Sequence, residues 1–136
     1  MRVFLDSNVL VSAFATRGLC VDLYERLLTE HQIVIGEAVV AEVLDVMKRK
    51  FRASAALLKK VEAEMRLLRV VPAQTTAPKL PIRDVKDPWI IACALHAEAE
   101  CFVTGDAELL ALTKVGTLRI FSPRAFWNRY ILKASV

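Results

Sequence analysis

The stretch Ile82–Leu110, IRDVKDPWIIACALHAEAECFVTGDAELL, runs an acidic entry, an apolar helix, an apolar strand and an acidic exit in quick succession. Asp87 followed by Pro88 predicts a helix start, because aspartate caps free backbone N–H groups and proline tolerates the first helical position. The predicted helix runs from Pro88 to about Glu98. Its residues Ile90, Ile91, Ala92, Cys93, Ala94, Leu95 and Ala97 are apolar nearly all round, so it is expected to be covered on more than one side. Cys101, Phe102 and Val103 then form a short strand that stops at Thr104, Gly105 and Asp106. An acid at the C-terminal end of a strand is half of an α/β site, since open parallel sheets bind ligands just outside those ends.

Working outward, the chain's first residues supply a matching half: Arg2, Val3, Phe4 and Leu5 read as a strand that also stops at a carboxylate, Asp6. After Asp6, Ser7 and Asn8 a tight turn leads into a short helix that Gly18 breaks. Val21, Leu23, Tyr24, Leu27 and Leu28 recur at helical spacing, and Gln32 to Ile35 is a second strand. A helix from about Glu37 to Lys50 puts Val40, Val43, Leu44 and Met47 on one stripe, with Glu42 opposite it beside Ala38, Asp45 and Arg49. Ser54 caps a further helix with Leu57, Leu58, Val61, Met65 and Leu68 on its apolar face, and Arg69 to Val71 is a third strand. Pro72 to Arg83, with three prolines, is an extended loop within the domain. Beyond the opening stretch come a short helix at Ala107 to Leu112, a strand at Thr117 to Phe121, and a C-terminal helix from Ser122 and Pro123 through Tyr130. Strands alternating with helices predict an α/β fold, a doubly wound parallel sheet of five strands in three layers, with the first strand central.

With 136 residues, 55% of them hydrophobic, the chain is expected to be one domain spanning 1–136. A net charge of +4, from 19 basic and 15 acidic residues, permits a polyanionic partner without demanding one. Cys20, Cys93 and Cys101 are odd in number and lack metal-site spacing, so they read as free thiols of a reducing cytosol. The sequence opens directly on a strand and carries no apolar run approaching the roughly 18 residues of a membrane span, which predicts a soluble, cytoplasmic protein.

Familiar catalytic signatures are missing: no G-x-x-x-x-G-K, G-x-G-x-x-G, G-x-S-x-G or H-E-x-x-H occurs. His31 and His96 are the two histidines, and neither has a catalytic partner in sequence. Carboxylates remain, at Asp6, Glu42, Asp84, Asp87 and Asp106. Hard oxygen donors without imidazole or thiolate suit Mg2+ or Mn2+. Each acid also has a plain reading: Asp87 and Asp106 as helix caps, Glu42 as a solvated helix residue. Asp6, closing an apolar strand, is harder to explain structurally. Trp89 and Trp127 read as core or interface residues rather than base-stacking platforms, and Lys48, Arg49, Lys50 and Arg52 as a solvated helix end.

The order of acids, DSN after the first strand, AEVLDVMKRKF in a helix, RDVKDPWIIACAL, then FVTGDAELL, resembles the PIN domain. More narrowly it resembles bacterial PIN-family proteins that are toxin components of toxin–antitoxin pairs, relatives of VapC-like ribonucleases, along nearly the whole chain. The resemblance implies strand order 3-2-1-4-5, so that Asp6 and Asp106 share one cleft. It implies that Asp6, Glu42, Asp87 and Asp106 are the catalytic acids, Asp6, Asp87 and Asp106 being metal ligands, with Asn8 and Thr104 supporting and Asp84 a near neighbour. One or two Mg2+ or Mn2+ ions, an RNA substrate, an antitoxin partner and a homodimer follow from it as expectations. Exposed apolar faces around Val21–Leu28 and Leu57–Leu68 also point to the dimer. Pro88, Trp89 and Glu108 depart from the commoner family pattern. Two rivals stand beside the nuclease: a PIN-like RNA- or protein-binding module that does not cleave, and a phosphotransferase with Asp6 as nucleophile.

Overall fold

The computed structural model describes residues 1–132. In chain order the elements are β1 (Arg2–Leu5), α1 (Ser7–Ala15), α2 (Leu19–Glu30), β2 (Gln32–Gly36), α3 (Glu37–Phe51), α4 (Ala55–Arg66), β3 (Arg69–Val71) and α5 (Asp87–His96). There follow β4 (Cys101–Val103), α6 (Ala107–Leu112), β5 (Lys114–Val115), β6 (Leu118–Phe121), α7 (Pro123–Phe126) and a π-helical turn at Trp127–Leu132. The sheet order is β3-β2-β1-β4-β6-β5. Every pairing is parallel except that of β5 with β6.

The expected five parallel strands in order 3-2-1-4-5 are therefore present, with one addition. β5 is a two-residue antiparallel edge strand. It exists because Thr113 and Gly116 both take positive φ, 59° and 60°, and fold the chain back on itself before β6. Val3, Phe4 and Leu5 are all fully buried. Successive strand residues point to opposite faces, so burial of all three means that both faces of β1 are covered. Phe4 pairs in register with Phe102 on β4, and their rings stack at 5.3 Å and 8°, locking the centre of the sheet.

Helix α3 buries Val39, Val40, Val43 and Met47 and leaves Glu42 exposed, as its period predicts. Five consecutive residues of α5, Ile90 to Ala94, are buried, which is the expected covering on more than one side. Its start differs from expectation. Asp87 is already inside the first turn, Lys86 occupies the capping position, and no side chain caps the helix. The cause lies upstream: the Asp84 carboxylate accepts from the Lys86 N–H at 2.9 Å, and the Asp87 N–H donates to the Asp84 carbonyl at 3.3 Å. That turn winds straight into the helix, and the Trp89 and Ile90 N–H groups that an Asp87 cap would serve donate instead to the Lys86 carbonyl at 3.1 and 3.3 Å. The C-terminal helix is likewise shorter than expected, because after Phe126 the backbone widens into the π-helical turn. Cys20, Cys93 and Cys101 are free thiols, the last two buried.

Candidate active site

Strands β1 and β4 lie side by side with Leu5 opposite Val103, so the residues that follow, Asp6 and Thr104, leave the sheet together. Asp6 is 7% exposed, and its backbone N–H donates to the Val103 carbonyl at 3.0 Å. Its Oδ2 accepts from the Thr104 hydroxyl at 2.7 Å and from the Asn8 amide at 3.1 Å, while Oδ1 accepts from the Ser7 N–H at 2.9 Å. Asn8 completes the knot: its Nδ2 donates to Thr104 Oγ1 at 3.3 Å and its Oδ1 accepts from the Gly105 N–H at 2.8 Å. A Cβ on residue 105 would stand 3.3 Å from that Oδ1, so the close approach favours glycine. Thr104 Oγ1 in turn accepts from the Asp106 N–H at 3.0 Å. Burial pushes the Asp6 carboxyl up, the nearby charge of Glu42 adds to that, and the three hydrogen bonds pull it back. A carboxylate so enclosed is a poorly placed nucleophile, which disfavours the phosphotransferase.

Asp106 has two tasks. Its Oδ1 caps α6, accepting from the Glu108 and Leu109 N–H groups at 2.8 and 3.4 Å, and the same geometry aims the carboxylate from the end of β4. Asp87 has none of the bonds a cap would make. Its Oδ2 is buried and has no hydrogen-bond partner among the described residues. The Asp87 carboxyl is pushed up to about 7, first by burial and then by the charges of Asp84, Asp6, Asp106 and Glu42. Four other acids thus act on one carboxyl. Residues from β1, α3, α5 and the end of β4 are brought into a common field, Glu42 lining a hollow with Ser7 and Asn8. Asp84 belongs to the field, although its Oδ1 is engaged by the turn before α5.

The basic residues sort themselves by partner. Arg49 pairs with Asp45 at 2.9 Å, and Arg83 is held by Glu108 at 2.8 Å with a second bond from its own N–H at 3.0 Å. Glu108, where the sequence departs from the family pattern, thus ties the loop before α5 to α6. Lys86 and Arg17 have no ion-pair partner among the described residues. Sequence reasoning missed the Arg83–Glu108 tie, which spans 25 positions and leaves no local signal.

Among the described residues, no three of the His, Cys, Asp and Glu side chains stand close enough to form a ready-made ion cage. The donor chemistry nevertheless fits a hard divalent cation: the side chains are carboxylates, and one buried oxygen, Asp87 Oδ2, has no partner. Like charges that share a cleft repel, so an open arrangement is the expected one without a cation.

A family model described as a PIN domain matches residues 2–108. VapBC2 from Rickettsia felis, solved bound to a DNA fragment from its promoter, is similar in structure at TM-score 0.66 and 18% identity, over 90% of this chain and 98% of that one. VapBC-1 from nontypeable Haemophilus influenzae is similar at 0.60 and 16%, over 91% and 99%. FitAB bound to an IR36 DNA fragment is similar at 0.62 and 17%, over 89% and 94%. No curated protein matches the sequence.

Proposed function

Because this chain belongs to the PIN domain family, we propose that it is a metal-dependent endoribonuclease and the toxin of a toxin–antitoxin pair. The observation that carries the nuclease is Asp87: a buried carboxylate oxygen without a hydrogen-bond partner among the described residues, in the field of four other acids, suits a divalent cation. In this reading Asp6, Asp87 and Asp106 hold one or two Mg2+ or Mn2+ ions. A divalent ion bound there supplies Lewis acidity toward a phosphodiester.

The chain's own groups do the rest. Thr104 and Asn8 hold Asp6 through its Oδ2, and the Ser7 N–H holds Oδ1. Glu42, exposed beside Asn8, accepts the proton of the attacking water at its carboxylate as the water oxygen bonds to phosphorus and one P–O bond to the leaving ribose breaks. Lys86, free of ion pairs among the described residues, holds a phosphate of the backbone. Asp84 sets the start of α5 and thereby the position of Asp87.

The partner reading rests on the sequence resemblance, with neighbours whose names denote VapBC and FitAB assemblies alongside it. Leu28 and Leu57 are 46% and 41% exposed beside a groove that includes Val21, Tyr24 and Val61, an apolar face suited to a second copy of the chain. None of the helices among the described residues is long and apolar enough to cross a membrane. Incubation of single-stranded and structured RNA with Mn2+, with and without chelator, tests the reading. Chelator-sensitive cleavage by the wild type, lost in Asp87→Asn, supports it; persistence of cleavage in both refutes it. A PIN-like module that binds RNA or protein without cleaving is the rival reading. RNA binding without cleavage in the same assay would establish it.

A further inference from the structure

Trp89 is a large apolar side chain that the fold leaves half exposed. It sits two positions after Asp87 on the first turn of α5, where Ile90 and Ile91 carry the packing, and it is 44% exposed rather than buried as its type suggests. Its indole borders a hollow of about 420 Å³ whose other walls include Ala38, Ala41, Glu42, Asp45 and Lys86. Ala38 and Ala41 are the small residues of the exposed side of α3, and they leave room against the ring. Glu42 lines both this hollow and the neighbouring one that includes Ser7 and Asn8, so the space beside Trp89 borders one acid of the proposed site, and Trp89 itself stands two positions from another, Asp87. Asp45 is neutralised by Arg49, which leaves Lys86 as the cation at the indole's side of the cleft.

A half-exposed indole, a gap walled by alanines and a cation without an ion-pair partner among the described residues, beside the acids of the proposed nuclease site, fit one kind of occupant. We propose that Trp89 is a stacking platform for one nucleobase of a single-stranded RNA substrate, with Lys86 on the adjoining phosphate. The assignment rests on the nuclease reading above and adds the substrate class to it. Stacking on an indole is available to every base, so the subsite selects unpaired over paired RNA and reads little sequence. An uncharged base is also the part of a nucleotide that tolerates the Glu42 and Asp45 carboxylates.

The test uses an unstructured RNA oligonucleotide in Mn2+ and a series of the same oligonucleotide carrying one abasic nucleoside at each position in turn. Trp89→Ala is expected to raise KM about tenfold, the lower part of the range for loss of one stacked base, with kcat within about threefold of wild type. Trp89→Phe, which keeps an aromatic face, is expected to restore most of the loss. One abasic position should weaken the wild type and leave Trp89→Ala unaffected, because the two changes remove the same contact. In a Trp127→Phe background, which leaves residue 89 as the remaining tryptophan, RNA should quench the fluorescence. If the wild type cleaves and Trp89→Ala matches it in KM, or if Trp89→Phe is as impaired as Trp89→Ala, the platform is overturned and the nuclease stands. Quenching without cleavage keeps the platform and overturns the nuclease. Neither binding nor cleavage overturns both.

Discussion

Replacement of Asp87 by asparagine should stabilise the metal-free protein, and by an amount that depends on pH. The Asp87 carboxyl titrates near 7 in the fold against an ordinary value of 3.8, with burial the main cause and the charges of Asp84, Asp6, Asp106 and Glu42 behind it. A raised carboxyl favours its neutral form in the native state, so ionisation opposes folding. The penalty is absent below about pH 3.8, grows as pH rises, and is complete above about pH 7. At 1.36 kcal/mol per tenfold change in proton affinity, the ceiling is about 4 kcal/mol. Asp87 is partly open to solvent, and screening reduces this to about 1–2 kcal/mol. Loss of an acid from the first turn of α5 costs about 0.5 kcal/mol through the helix dipole, which leaves the sign unchanged. Urea melts of wild type and Asp87→Asn in chelator at pH 5 and pH 8 should therefore show the variant ahead, and further ahead at pH 8. Saturating Mn2+ should reverse the order, since a ligand at a hundredfold excess over Kd adds about 2.7 kcal/mol to the native state that binds it. A variant less stable than wild type at pH 8 in chelator, with no response of either protein to Mn2+, would refute the argument and return Asp87 to a structural role.

The remaining expectations probe the same cleft from other sides. Asp6→Asn, Asp106→Asn and Glu42→Gln should each lower RNA cleavage by about a hundredfold or more in initial-rate assays, because amides replace anionic ligands and bases poorly. Thr104→Val deletes a buried hydroxyl that donates to Asp6 and accepts from the Asp106 N–H; thermal melts should show a loss of about 1–3 kcal/mol. Phe102→Ala, removing a fully buried ring stacked on Phe4, should cost about 3–5 kcal/mol in denaturant midpoints. Light scattering at micromolar concentration should report a dimer that Leu28→Glu dissociates, the mutation placing a charge on an exposed leucine of the apolar face.

The sheet was legible because its information is local and periodic. Val3–Leu5 and Cys101–Val103 are apolar runs that stop at polar residues, and both strands lie within a residue of where that pattern puts them. β5 was not legible, since two residues, Lys114 and Val115, carry no alternation and the strand exists through the turn geometry around them. Asp87 shows the opposite failure. Asp-Pro is a strong helix-start signal, yet the turn made by Asp84 starts the helix one residue early, the Lys86 carbonyl takes the donors of its first turn, and the Asp87 carboxylate left over became the most informative group in the cleft. Trp89 was read as a packing residue because tryptophans usually are; its exposure depends on Ala38 and Ala41, which are distant in sequence. Glu42, by periodicity, is an ordinary solvated helix residue. Resemblance, rather than spacing, singled it out.

The knot of Asp6, Asn8, Thr104 and Asp106 also sets a schedule for the chain's birth. Its hydrogen bonds join residues 96 to 98 positions apart, and β1 lies at the centre of the sheet flanked by a strand made much later. Such long-range closures form after local ones. Asp6 is thus made long before Thr104, the residue whose hydroxyl holds its carboxylate. A polypeptide that stops short of Thr104 lacks the hydroxyl that holds the Asp6 carboxylate, so this end of the sheet is ordered only once β4 has docked beside β1.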